Sequence, residues 1–588
     1  MMGKSQLSSP GSVEDLIDKL GSVAVTGLTP GYTNLVFGET DFPGSVFSVA
    51  CEIGVLTEKH QTGKWQFFHK SAQEFCAGYF LSKRVEKLDS YLKDIESPKN
   101  ALSIALVLMF AARCETETEP AASRIVEKLV TIFGKMDSGK FYREQLPFNE
   151  TRPIQDLIEL CLVCNYEAQS DLDLKSLFPS KRVLFYGITT KAANALGYLM
   201  QSSNKPEFNQ ITLRPIAHAT DPVVLLGPTG KMWISKQREM NAVSNEKMKQ
   251  IKQRFLAVNP NTSRDILRKT PAAIAAYISC IQASEGLPST SETDVSGIFN
   301  NISHVQLVAL DVNHFTLHDN FTILCKNIED GHLSSLRVLY AISTASSGEQ
   351  MTRLARNVHK MPSLQLLNIS QNPIEPGKTV PALCQHINQC TELYLLSASN
   401  MNAPANDMLT LAENIPANLT QLSIPGNEMD DAVAVCLTKS LPSAMTVLAI
   451  SVYGMSMSQH DALLDSIHTR LTSLKVLCVY DSSYVVSLVR HMTSTFMSCT
   501  QLDTLQLSAT EPDVLIPDQC CNVFMDAFKQ STSITTLAMV GISLTLQQFR
   551  QLLDTCRHKS LQTLQFRRHT LPEGLEDGDL DDEFLILT

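Results

Sequence analysis

No stretch of this sequence is apolar for long enough to cross a bilayer. The most apolar run, ALSIALVLMFAA at 101–112, is twelve residues where about 20 are needed. The first residues, MMGKSQLSSPGS, are polar and lack the apolar segment of a secretory signal. Positive charge is in deficit: 49 Lys and Arg against 60 Asp and Glu leave a net charge of −11 and a pI near 5.7. Such a surface argues against broad non-specific binding to nucleic acid or anionic membranes. A dense cysteine framework is also missing. The 15 Cys are scattered and odd in number, which suits a reducing compartment and a cytoplasmic location. Catalytic signatures are absent: there is no G-x-S-x-G, no H-E-x-x-H, and no kinase or dehydrogenase motif. The chain is expected not to be an enzyme.

Two near-misses support that expectation. PVVLLGPTGK at 222–231 ends like a phosphate loop, but G-x-x-x-x-G-K-S/T would need Gly where Leu225 stands and Ser or Thr where Met232 stands. Without those groups the backbone cannot wrap phosphates or supply a hydroxyl to Mg²⁺, so a plain turn after an apolar strand is the expectation. Cys161 and Cys164 have zinc-like spacing, but they lie in a helical apolar run, LIELCLVC, with no second pair at the right distance. They read as core thiols. His386, His460, His468 and His491 are not at ligand spacing along the chain, and no metal or cofactor is expected. The sequon-like Asn301 and Asn418 carry little meaning in a cytosolic chain.

What is present is foldable: 44% apolar and 19% charged residues over 588 positions, enough for several domains or a repeat array. Residues 1–85 read as a small mixed domain. Val13, Leu16, Ile17, Leu20 and Val23 mark a helix, Leu35–Val36–Phe37 a short strand, and 46–55 a second helical pattern ending at Gly54. Strands at 56–57 and 64–68 flank a charged turn. Helix, helix, two-stranded wing, helix is a winged-helix pattern. Its cations Lys59, Lys64, Lys70, Lys83 and Arg84 are dispersed among acids, which argues against DNA binding. Residues 86–180 read as a helical spacer domain, with 101–112 as a core helix.

From 181 to 588 an internal repeat dominates. Leucine-like residues three positions apart recur at Leu336/Leu339, Leu364/Leu367, Leu393/Leu396, Leu419/Leu422, Met445/Leu448, Leu474/Leu477, Leu502/Leu505, Ile534/Leu537 and Leu561/Leu564. The start-to-start steps are 28, 29, 26, 26, 29, 28, 32 and 27 residues, close to the leucine-rich-repeat range of about 20–29. Asparagine holds the ninth position at Asn372 and Asn427. Each unit has room for an amphipathic helix, as at 430–441 and 458–471, so the expectation is a curved strand–helix solenoid with strands on its concave side. Segments 182–186, 208–213 and 305–310 read as opening repeats. An irregular insertion at about 217–303, with helical patches at 246–258 and 271–282, interrupts them. The seven acids of 573–583 read as a polar end to the solenoid.

The stretch KWQFFHKSAQEFCAGYFLSKR at 64–84 concentrates the remaining signal. Ser71 and Glu74 make an S-x-x-E capping box, so a helix should begin near Ser71, with Phe75, Cys76, Tyr79 and Phe80 as its apolar stripe. His69 stands just before that helix, where unpaired amides and the helix dipole favour an anion. On residue type alone it reads as an ordinary structural histidine.

FFHKSAQEFCAGYFLS, preceded by LGSVAVTGL, LVFGETDF and VACEIGVLT and followed by helices and leucine-rich repeats, resembles the winged-helix region of NOD-like receptors (NACHT–leucine-rich-repeat proteins), most of all their CARD-containing, inflammasome-type branch. The resemblance implies an α/β architecture: winged-helix domain, helical domain, then a ribonuclease-inhibitor-type solenoid. It also implies the ligand-sensing and autoinhibitory part of a cytosolic pattern-recognition receptor of innate immunity. Its partners would be microbial or host proteins on the solenoid and related NACHT receptors. In that family the histidine of the motif reaches the phosphates of bound ADP, and His69 is the matching position. Ala72 departs from the bulky aromatic usual there. The effector domain and the NACHT ATPase module that precede this region in the family have no counterpart here, so ADP or ATP is expected only where such a module is supplied. An incomplete gene product or a naturally short form is then expected. The competing reading is a ribonuclease-inhibitor-like interaction scaffold or decoy without signalling activity.

Overall fold

The computed structural model describes residues 13–59, 62–114, 121–136, 148–178, 181–214, 224–226, 232–234, 294–315, 317–510, 514–559, 561–566, 572 and 585–587. The chain divides into two compact units: residues 1–209 with 293–305, and residues 210–292 with 306–588.

In the first unit, helix Val13–Gly27 leads to a short strand Phe37–Gly38, helix Gly44–Glu52, and an antiparallel pair, Leu56–Glu58 with Lys64–Phe67. Phe37–Gly38 pairs on the other side of Lys64–Phe67. An aromatic cluster closes this small sheet: Phe37 meets Phe42 and Phe67 at ring-centroid distances of 5.6 and 6.1 Å, and Phe47 stands edge-on to Trp65 at 4.9 Å. Helix Lys70–Ser82 follows. Its buried residues are Gln73, Glu74, Cys76, Ala77, Gly78, Leu81 and Ser82, so the expected aromatic stripe is not the buried face. The reason is close helix packing. A Cβ on Gly21 would fall 2.2 Å from the Cys76 carbonyl oxygen, and one on Gly78 would fall 2.6 Å from Phe110 Cβ. Only a small-residue face lets three helices approach that nearly, and the bulky Phe75, Tyr79 and Phe80 are left half-buried at its edges. Arg84 reaches back to the Asp18 carboxylate through both terminal nitrogens, with its guanidinium 4.2 Å over the Phe80 ring.

Further along this unit, the expected single core helix is two, Pro98–Ser103 and Ala105–Arg113. The break at Ile104 (φ −121°, ψ 21°) ends the first helix at Ser103, whose hydroxyl accepts the Gly31 amide at 3.0 Å. Helices Ala121–Lys135, Phe148–Glu167 and Thr190–Gln201 complete the layer. Gln155 clamps the strand Arg182–Tyr186 by bonding both the amide and the carbonyl of Tyr186, at 2.9 and 3.0 Å. Residues at the end of the expected insertion are ordered: a short helix Ser296–Phe299 and a 3₁₀ turn Ile302–His304. Most of that insertion, including both helical patches, lies outside the described residues.

The second unit is a leucine-rich-repeat solenoid. Twelve of its described strands form one parallel sheet, stepping through Gln210–Arg214, Ala309–Asp311, Val338–Tyr340, Leu366–Asn368, Leu395–Ser397, Gln421–Ser423, Val447–Ser451, Val476–Ser482, Thr504–Ala509, Thr536–Val540, Thr563–Phe566 and Leu585–Leu587. The register is a ladder of leucines: Leu339, Leu367, Leu396, Leu422, Leu448, Leu477, Leu505, Leu537 and Leu564 stand side by side. Ile211 and Leu310 belong to the same ladder although the insertion separates them. Between strands, a helix returns the chain on the opposite side. Helix Asp431–Ser440 is capped by Asp430, whose side chain accepts the Val433 amide at 2.9 Å. The ninth-position asparagines brace neighbouring repeats. Buried Asn372 accepts from the amides of Thr344 and Ala345, both at 2.8 Å, and Asn427 accepts from Ala403 and donates to Ala398 and Ile424. Satisfying backbone groups at the turns, where no ladder partner exists, is what the residue is for.

Candidate functional site

His69 lies where the sequence places it, at the start of the motif helix, but its role there is local. The helix begins at Lys70, and His69 itself is the N-cap in extended conformation (φ −148°, ψ 144°). Its Nδ1 accepts the Ser71 amide at 3.1 Å, and its carbonyl takes the Ala72 amide at 3.0 Å. The Ser71–Glu74 capping box does not form. Glu74 is buried and faces Lys70 Nζ at 3.2 Å, because the helix starts before Ser71 and turns position 74 inward. Two of the amides that an anion would use are thus already bonded. An imidazole that accepts at Nδ1 is neutral and carries its proton on Nε2. The ring is exposed. For His69 to meet a phosphate, Nδ1 can stay on Ser71 only if Nε2 makes the contact.

The second candidate is the open face of the solenoid sheet. Side chains alternate along a strand, so the leucine ladder faces one way and its neighbours the other. That other face carries the strand's polar residues, such as Asn368, Ser397, Ser423 and Gln506, which marks it as the side away from the helices. It is divided. Toward the start of the solenoid it is buried: Ala309, Val338, Tyr340, Leu366 and Leu395 form one apolar cluster and Val447, Ala449, Val476 and Cys478 another, with buried Asn368, Ser397, Gln421 and Ser423 beside them. Toward the end half-exposed polar side chains, Gln506, Thr536, Thr563 and Gln565, stand among the buried Thr504, Ser508, Ala538 and Val540. A buried ion pair sits at the early end, Arg214 Nη2 to Asp311 Oδ2 at 2.7 Å, both side chains at most 2% exposed. At the strand starts a polar row crosses repeats: Arg337 donates to Gln365 at 3.0 Å, and Gln365 donates to Glu392 at 2.8 Å. These residues were missed from the sequence; a signal lies in the third residue of the units, apolar at Val338, Leu366, Leu395, Val447 and Val476 but threonine at Thr504, Thr536 and Thr563.

Cys161 and Cys164 are buried in helix Phe148–Glu167, where burial pushes Cys164 up to about 12 and Cys161 well above the ordinary thiol value. Both are therefore neutral thiols. The GPTGK segment joins two strands, Val224–Leu226 and Met232–Ile234, paired antiparallel. A phosphate loop passes from strand to helix, and here a strand follows. The residues of the turn itself, and the acidic 573–583 segment, lie outside the described residues. His386 packs its ring on His359 at 4.7 Å. No helix among the described residues is long and apolar enough to cross a membrane.

No protein-family model matches the chain, and no curated protein matches it. Solved structures do. One is an internalin (InlF) from Listeria monocytogenes, 15% identical, with a TM-score of 0.27, covering 47% of this chain and 71% of that one. Another is a TLR13–ssRNA13 complex, 19% identical, with a TM-score of 0.26; the match covers 46% of this chain and 37% of that one. At scores of that size the assignment of the solenoid rests on the strand register and the leucine ladder of this chain itself.

Proposed function

We propose that this chain is the ligand-sensing and autoinhibitory portion of a cytoplasmic innate immune receptor of the NOD-like type, acting through protein–protein contact and without turnover of its own. The observation that carries the binding role is the open sheet face, whose later half presents polar, half-exposed side chains across successive repeats. Such a surface reads extended protein partners. What supports the receptor type is the motif at 67–82 in its order: helix, helix, antiparallel pair, helix, then further helices and the repeats. On this reading the first elements are a winged-helix domain (1–85), 86–180 is a helical spacer, and partners are microbial or host proteins or a related NACHT module. A second reading, a scaffold or decoy that binds without signalling, is favoured by one fact: the His69 Nδ1 already serves its own helix.

The test is binding of the purified chain to a NACHT module of the receptor type, by calorimetry, with Gln506→Arg/Gln565→Arg as the face variant. Binding that the variant weakens at least about tenfold supports the sensor reading. Binding indifferent to the variant removes the open face from it, and no binding to the module leaves the decoy reading in its place.

A further inference from the structure

The repeat histidines that are far apart along the chain meet on the helical side of the solenoid. Helix Met457–Arg470 carries Asp465 and His468, three residues apart and so on one face. The helix of the next repeat, Val485–Ser498, carries His491. One carboxylate oxygen of Asp465 and one ring nitrogen from each histidine all lie within 4.8 Å of one another. Asp465 Oδ1 is 3.1 Å from His491 Nδ1 and 3.8 Å from His468 Nδ1. The two rings are 6.2 Å apart and inclined by 32°. The histidine side chains are 17% and 14% exposed and Asp465 60%, so two sheltered nitrogens stand beneath a carboxylate open to water.

The neighbours of each ring bear on which nitrogen a metal would take. His468 Nδ1 lies 3.1 Å from the Leu464 carbonyl. A carbonyl only accepts, so Nδ1 holds the proton and Nε2 the lone pair. His491 stands between two carboxylates, Asp465 Oδ1 3.1 Å from Nδ1 and Asp461 Oδ1 3.5 Å from Nε2, and a metal shared with Asp465 would take the Nδ1 lone pair and leave the proton on Nε2 toward Asp461. Asp461 is itself held: the Ser487 hydroxyl donates to it, and His460 Nδ1 stands 3.1 Å away, with His460 Nε2 3.1 Å from Ser482 Oγ. A carbonyl or carboxylate behind each imidazole is the support that metal-binding histidines use.

We propose that Asp465, His468 and His491 form a site for one divalent transition-metal ion of the zinc type, joining two consecutive repeats. Two imidazoles and one carboxylate suit zinc; calcium and magnesium prefer oxygen ligands alone. With metal–ligand bonds of about 2.0–2.1 Å, tetrahedral ligands stand about 3.4 Å from one another, and Asp465 Oδ1 and His491 Nδ1, 3.1 Å apart, come near that value; His468, its Nδ1 given to the Leu464 carbonyl, would join them through Nε2. Three protein ligands leave the fourth position to water.

The experiment uses the full chain, stripped with a chelator under reducing conditions and titrated with Co²⁺, then Zn²⁺, by absorption and calorimetry. One Co²⁺ per chain is expected, with visible bands, no thiolate band in the near ultraviolet, and displacement by Zn²⁺. His468→Gln, His491→Gln and Asp465→Asn should each weaken binding at least about tenfold. Asp461→Asn, which leaves all three ligands in place, should weaken it about 10- to 100-fold. His386→Gln should change nothing. Circular dichroism and chelator-treated unfolding midpoints establish that the variants fold; Asp465, being mostly exposed, keeps the test decisive where a histidine variant does not. The proposal is overturned by no saturable binding at micromolar metal, by a thiolate band, or by binding that Asp465→Asn leaves unchanged.

Discussion

At residues 69–71 an imidazole bonds to the amide two positions on in its own helix. At residues 460–491 three imidazoles and two carboxylates from neighbouring repeats face one another. The first arrangement closes within one turn of chain and asks nothing of the rest of the fold. The second exists only because the repeat returns the chain at an interval of 26 to 32 residues, so that helices Met457–Arg470 and Val485–Ser498 lie side by side. A histidine's company in a solenoid is thus set by the repeat period rather than by local spacing. The same contrast runs through the polar groups generally: Asn372 reaches back about one repeat to Thr344 and Ala345, whereas Lys70 and Glu74 pair within one helix.

The contrast is broken or sharpened first at the ion pair that, among the described residues, spans the greatest length of chain. Asp311 holds Arg214, 97 positions away along the chain, and both are buried. Asp311→Ala strands a buried guanidinium without its carboxylate, and such losses cost about 3–5 kcal/mol. The midpoint of urea unfolding of the solenoid should fall accordingly. A loss under about 1 kcal/mol would mean that cross-repeat polar contacts weigh no more than surface pairs do.

The leucine ladder was legible because a period near 28 and the alternation of side chains leave only one register that buries every leucine. The helix-start motif was legible in place but not in detail. Ser is the better N-cap by type, yet the strand Lys64–Phe67 ends so close to the helix that His69, still extended, takes the position. Its buried face was misassigned because packing through Gly21 and Gly78 rewards small residues over aromatic ones. The burial of Val338 and Leu395 on the open face, and the meeting of Asp465, His468 and His491, depend on what lies beside them in space. No spacing along the chain encodes that directly; stacking the sequence at the repeat period would have brought 465–468 near 491.

A smaller effect tests the cross-repeat network by pH. His460 is fully buried, against Asp461, Ser482 and Tyr484, with His491 nearby. Burial, the largest influence, pushes its imidazole below the ordinary value despite the opposing pull of Asp461. The unfolded chain therefore binds a proton near pH 6.5 that the folded chain resists until lower pH. Where the unfolded state binds more protons, stability rises with pH. The stability contributed by this group is full above about pH 6.5 and is lost as pH falls through the folded value. His460→Gln should flatten that part of the curve, read as the difference between wild type and variant, which subtracts the like-signed contribution of His386. A difference that does not change with pH would show His460 to be as indifferent to its neighbours as a surface residue.

The smallest effect belongs to His69. Losing an N-cap acceptor costs about 0.5–2 kcal/mol, commonly near 1, and the ring is exposed, so little packing goes with it. His69→Ala should lower the unfolding midpoint of the first unit slightly, and His69→Asn, whose side-chain oxygen can accept the Ser71 amide, should restore it. Rescue by asparagine identifies capping as the whole structural role of this position. If instead alanine and asparagine both cost several kcal/mol, the imidazole ring itself is needed, and the local half of the comparison fails. Should a NACHT module be attached and nucleotide binding depend on His69 while asparagine still preserves stability, the position would carry both roles on separate nitrogens: Nδ1 for its own helix and Nε2 for the phosphate.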